Sequence, residues 1–110
     1  MKSPVRIGDL RHYVRLESAT RVTDGGGGST TTWTLTAEMW AAIWSRSVDE
    51  PFSLGRAAGV ASHDIWIRKR DGIKPEMRFT SGPRIFDILG VIDVDDKGRF
   101  LRCPVRERDL

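Results

Sequence analysis

Short runs of alternating side chains, broken by glycine, proline and aspartate, confine this chain to a β fold. In "LRHYVRLE", Leu10, His12, Val14 and Leu16 fall on one side, and Arg11, Tyr13, Arg15 and Glu17 on the other, the pattern of a half-buried strand. "SHDIWIR" sets Ile65 and Ile67 against Trp66 and Arg68, "MRFT" pairs Met77 with Phe79, and "RFLRCPVRE" holds Leu101, Cys103 and Val105 in phase. "RIFDILGVIDV" is a longer run whose alternation becomes apolar on both sides. Asp71-Gly72, Pro75, "SGP" and "DDKG" supply the turns between them. Pro104 has no N–H for a ladder, so it is expected on an edge or at a strand end, interrupting the last strand.

The stretch "TTWTLTAEMWAAIWSR" is rich in threonine, tryptophan and isoleucine, which suit a pleated surface. Trp33, Leu35, Ala37, Met39, Ala41 and Ile43 share one phase, while Trp40, Ala42 and Trp44 share the other. The spacing of Trp40 and Trp44 also suits a helical turn. A long strand is preferred, its second apolar face covered by the following helix or by a neighbouring subunit. That helix is predicted within "SVDEPFSLGRAAGVAS": Asp49 caps it, Glu50 and Pro51 suit its first turn, and Phe52, Leu54, Ala57 and Ala58 pack. Gly55 and Gly59 weaken it, so it depends on docking. The expected architecture is therefore mainly β: one domain over residues 1–110, a small antiparallel barrel or sandwich of about six strands. It carries one short inserted helix and a long glycine-rich loop over residues 19–31.

That loop contains "DGGGGS", Asp24, Gly25, Gly26, Gly27, Gly28 and Ser29. Neither nucleotide-binding spacing is present, and no helix or GK[ST] follows, so a phosphate cradle is disfavoured against a flexible loop that orders on contact. Other chemistry is equally sparse. His12 and His63 are the only histidines, with no CxxC or HExxH, and each reads as a structural histidine. "DVDDKG" lacks the calcium-loop pattern and reads as a hairpin turn. Cys103, the single cysteine, permits no internal disulfide and reads as a small buried hydrophobe. No catalytic residue, metal ligand or cofactor is assigned, and the chain is not expected to be an enzyme.

The net charge of +3 is unevenly spread. Residues 1–21 and residues 97–110 each hold five basic and two acidic side chains, so the intervening region is net negative. Basic ends around an acidic middle suit charge-complementary subunit contacts as well as they suit nucleic acid. The basic run Arg68 to Arg70 reads as a solvated strand end. Neither a secretory signal nor a membrane span is indicated, so the expected site of synthesis is a cytoplasm. Four tryptophans in 110 residues point to core and subunit packing, assigned to Trp40, Trp44, Phe52 and Trp66. The competing expectation is a small nucleic-acid-binding β-barrel that stacks bases on exposed Trp66 or Trp44.

Taken in order, the pieces "IGDLRHYVRLE", "DGGGGSTTTWT", "MWAAIW", "SHDIWIR", "GIKPEMRF" and "RIFDILGVIDVDDKGRFLRCPVRE" resemble the bacteriophage head-tail joining, or head closure (stopper), family. The correspondence runs from about Ile7 to Glu107. It rests on Gly8, Leu10, Asp24, Gly25, Gly27, Trp33, Trp40, Ala41, Ile43, Ile73, Pro75, Met77, Arg78, Arg84, Phe86, Ile88 and Cys103. The resemblance implies a β-barrel with a short helix, six or twelve copies of which form a ring in the neck of a tailed phage or gene transfer agent particle. Implied partners are the portal or adaptor protein, a tail terminator or tail-completion protein, and double-stranded DNA passing without sequence specificity; no membrane is implied. The loop from Asp24 to Ser29 would then project toward the channel or the next ring, and the chain would be made in a bacterial host cytoplasm.

Overall fold

The computed structural model of the chain describes residues 5–46, 61–94 and 98–108. A 3-10 turn, Ile7–Asp9, leads in, with the Asp9 carboxylate accepting the Arg6 N–H at 2.9 Å. Seven antiparallel strands follow among the described residues: β1 (His12–Thr23), β2 (Ser29–Ser45), β3 (His63–Arg68), β4 (Arg78–Ser81), β5 (Arg84–Ile88), β6 (Ile92–Asp93) and β7 (Phe100–Glu107). They lie in the order β3-β2-β1-β4-β5-β7-β6, and β3 also pairs with β7. Six strands thus close on themselves, and the two-residue β6 lies on β7 beside Leu101 and Arg102. The mainly β expectation holds, with a closed, barrel-like sheet in which β6 is the strand beyond the six expected. The helix predicted around Phe52 lies outside the described residues.

Alternation puts one face of each strand inside. Val14, Leu16, Ala41, Ile65, Ile67, Phe79, Phe86, Ile88, Leu101, Cys103 and Val105 form the core. Phe79 and Phe86 stand directly opposite one another on β4 and β5, both without solvent exposure. Cys103 fills the small hydrophobic position expected of it, and burial pushes its thiol up to about 12, which leaves it an inert packing group. His12 shares the inward phase but is exposed at the first position of β1, opposite the buried Ala41.

The second apolar face of β2 and β3 has a cover that sequence reasoning did not identify. Ala42 and Trp66 face each other across the two strands and are buried with Val5 and Phe100, while Leu10 and Val94 pack alongside. The chain's own N-terminal segment therefore shields Trp66, which is only 4% exposed.

Pro104 does not interrupt β7. The Val105 carbonyl accepts the Ser62 N–H on the β3 side, whereas the Pro104 carbonyl accepts the Leu89 N–H at 2.9 Å on the opposite edge. Successive residues of a strand direct their backbone groups to alternate edges. The missing N–H therefore falls where that edge passes from β6 to β5, between ladder bonds.

His63 is structural, as expected. Its Nδ1 lies 2.8 Å from Ser62 Oγ, its ring packs edge-on to Phe86, and its Nε2 is 3.9 Å from Glu107. Arg84 binds Glu107 through Nε at 2.8 Å and Nη2 at 3.1 Å. Burial lowers the His63 pKa below the ordinary 6.5, with Glu107 opposing that shift. Hydrogen bonding to Arg84 holds the Glu107 carboxyl below its ordinary 4.5. Both folded-state values are depressed, so the native chain binds fewer protons than the unfolded one. Their stabilisation is complete above about 6.5 and is lost as pH falls, first through the His63 titration and then through that of Glu107. The urea midpoint should fall between pH 7 and pH 5, and His63→Gln should flatten that decline. A midpoint constant over the interval would contradict the assignment.

Candidate functional site

β1 and β2 are much longer than the closed sheet needs. On its outer edge β1 meets β4 only over Arg15–Glu17, and β2 meets β3 only over Ala41–Ser45. Beyond Glu17 the two strands pair only with each other, from Ser18↔Thr34 to Thr23↔Ser29. Those six pairs span about 20 Å at the usual strand rise. The result is a two-stranded arm on a molecule 52 Å long and only 29 × 27 Å across.

The loop expected over residues 19–31 is therefore strand on both flanks, and the turn is confined to residues 24–28. Cross-strand neighbours such as Thr20↔Thr32 and Val22↔Thr30 explain why: β-branched side chains facing one another stabilise a ladder. The turn itself is organised by Asp24. Its Oδ1 accepts the N–H groups of Gly26 at 2.8 Å and Gly28 at 3.1 Å, and its own N–H donates to the Gly28 carbonyl. Gly25 and Gly27 have φ of +82° and +88°, where side chains are strained, and a Cβ on Gly28 would lie 2.8 Å from Asp24 Oδ2. The glycine run thus encodes a defined aspartate-centred turn.

A β-bulge separates arm from body. Leu16 pairs with Ala37 but Glu17 pairs with Leu35, leaving Thr36 unmatched. This moves Trp33 and Leu35 out of the phase they share in the sequence with Ala37 to Ile43. Trp33 instead meets Arg78, whose guanidinium lies 4.0 Å from the ring centroid, and Arg78 Nε donates to Glu17 Oε1 at 2.7 Å. Arg108 approaches the same ring at 5.9 Å while bonding Asp87 at 2.9 Å. These groups brace the base of the arm.

The other assigned residues scatter. Trp40 lies on the outer face, 56% exposed, edge-on to Tyr13 at 5.0 Å. Trp44 is partly exposed and packs 5.6 Å from Trp66. Trp66 is committed to its own chain's satellite core, which removes it as a platform for base stacking. Phe52 lies outside the described residues. Sequence reasoning passed over the brace of Glu17, Trp33 and Arg78. Its signal was present only as three separate residues whose meeting depends on the bulge and on the pairing of β1 with β4.

A family model for phage head completion proteins matches residues 5–108. The chain is 34% identical to one chain in the virion of a native gene transfer agent particle, over 90% of this chain and 96% of that one, with a TM-score of 0.65. It is 28% identical to protein SF1141 from Shigella flexneri 2a, whose solution structure aligns over 94% of this chain and 96% of that one with a TM-score of 0.70. No curated protein matches the chain.

Proposed function

The chain belongs to the phage head completion protein family, and from that premise we propose that it closes the head-to-tail joint of a tailed phage or gene transfer agent particle. Its role is structural, in the head and neck of the particle. Copies would form a ring between the portal or adaptor and the tail, around the DNA exit channel. Tail terminator or tail-completion proteins would dock on the far rim. Duplex DNA would pass without being gripped, because a tight basic lining would hinder its movement.

The observation that carries this reading is the family match along residues 5–108, which takes in both the closed sheet and the arm. The arm gives the reading a working part. A braced hairpin with a compact polar tip can reach beyond a subunit's own body and touch the channel or the adjoining ring. Trp40 and Trp44 supply exposed aromatic surface for packing between neighbours. Membership of a virion structural family, with no catalytic constellation assigned, favours a non-enzymatic role.

Electron microscopy of the assembled particle tests the proposal. The expected result is a ring of this fold at the vertex where capsid meets tail, its arms directed along or toward the axis. Density for the chain in the capsid lattice or along the tail tube would overturn it.

A further inference from the structure

A cleft of about 530 Å³ opens on the outer face where the N-terminal 3-10 turn meets β2 and the end of β3. Ile7, Leu10, Met39 and Trp40 form its apolar part, and Arg68, Lys69 and Arg70 form one wall. Ile7 and Trp40 are both more than half exposed, unusual for large apolar side chains lying together. Lys69 is paired with Asp93 at 2.6 Å, whereas Arg68 and Arg70 meet no carboxylate among the described residues. The cleft thus joins an exposed apolar floor to cations that meet no carboxylate among the described residues.

The geometry points to a docking site for an acidic protein segment that inserts one large apolar side chain. The inserted group would cover Ile7, Leu10 and Trp40, while flanking carboxylates meet Arg68 and Arg70. Apolar burial supplies most of the affinity, and the exposed charges decide which partner is accepted. Nucleic acid fits less well. Glu38 lies two residues from Trp40 on the same face of β2, and Asp71 follows Arg70. A strand charged at every phosphate would run past these carboxylates on leaving the cleft, whereas a short segment charged only beside its anchor need not. The cleft lies on the body of the molecule, and this inference stands or falls independently of the arm's role.

The test uses the purified full-length chain and amide-resolved NMR titrations. The probes are a short peptide with a single central leucine flanked by glutamates, its serine-for-leucine and glutamine-for-glutamate counterparts, and single-stranded oligothymidine. Shifts should centre on Ile7, Leu10 and the Trp40 indole. The Arg68→Glu/Arg70→Glu double variant should bind the first peptide about tenfold more weakly. Trp40→Ala should weaken it by a similar factor, about tenfold. Equal binding of all three peptides, tighter binding of oligothymidine, shifts mapping elsewhere, or an unaffected charge-reversal variant would each overturn the assignment.

Discussion

Phe79→Ala should lose about 3–5 kcal/mol of folding stability, a large part of the roughly 5–10 kcal/mol available to a domain of this size. Phe79 has no solvent exposure and faces Phe86 across the β4–β5 ladder, so truncation removes half of the central aromatic pair. The cost should fall at the high end because the cavity has little means of closing. β4 is hydrogen-bonded to β1 on one side and β5 on the other, and the pairing continues through β7 and β3 back to β2 and β1. A strand held on both edges cannot slide inward without breaking ladder bonds. Phe79→Leu, which keeps most of the volume, should cost less than about 1.5 kcal/mol. Urea denaturation followed by tryptophan emission distinguishes the two variants. A loss under about 1 kcal/mol for the alanine variant would mean that the interior repacks freely.

The second large effect concerns assembly and leaves folding nearly untouched. Deleting residues 20–23 together with residues 29–32 removes four consecutive cross-strand pairs and leaves the Asp24 turn closed by Ala19 and Trp33. An even number of pairs preserves which face each remaining side chain occupies. The removed residues are exposed, so stability should change by no more than about 1 kcal/mol. If the arm contacts the channel or the next ring, particles assembled with the shortened chain should accumulate as untailed or emptied heads, with gene delivery reduced by orders of magnitude. Undiminished delivery with a correctly folded shortened chain would show that the arm has no part in joining. Arg78→Ala offers an internal comparison. It keeps the arm's length but removes both the Glu17 ion pair and the stack on Trp33, at a cost of about 1–3 kcal/mol. A functional defect there without arm deletion would place the requirement on the arm's direction.

The residues of the tip were legible as a group, but their behaviour was not. Four glycines in a row suggest slackness when each is weighed by its own conformational freedom. Their order comes from Asp24 accepting two N–H groups and from threonine pairs extending the ladder to the turn. Trp40 and Trp66 likewise look equivalent in the sequence, both outward on their strands. What separates them is the N-terminal segment, which reaches Trp66 with Val5 and leaves Trp40 open beside Ile7.

Alternation and turn chemistry by themselves determined that the chain is antiparallel β, which side chains of most strands face inward, and that Cys103 and His63 are structural. These are local properties, set by a period of two and by the dihedral preferences of a few residues. Tertiary structure alone decided that β3 meets β7 to close the sheet, that Thr36 is left unmatched so that Trp33 turns toward Arg78, and that the glycine segment crowns a two-stranded arm standing clear of the closed sheet. The arm's turn and ladder are contacts within one hairpin, but closure of the sheet and the stack of Arg78 on Trp33 depend on residues far apart in the chain. Such contacts become favourable only once the rest of the sheet has brought their partners together.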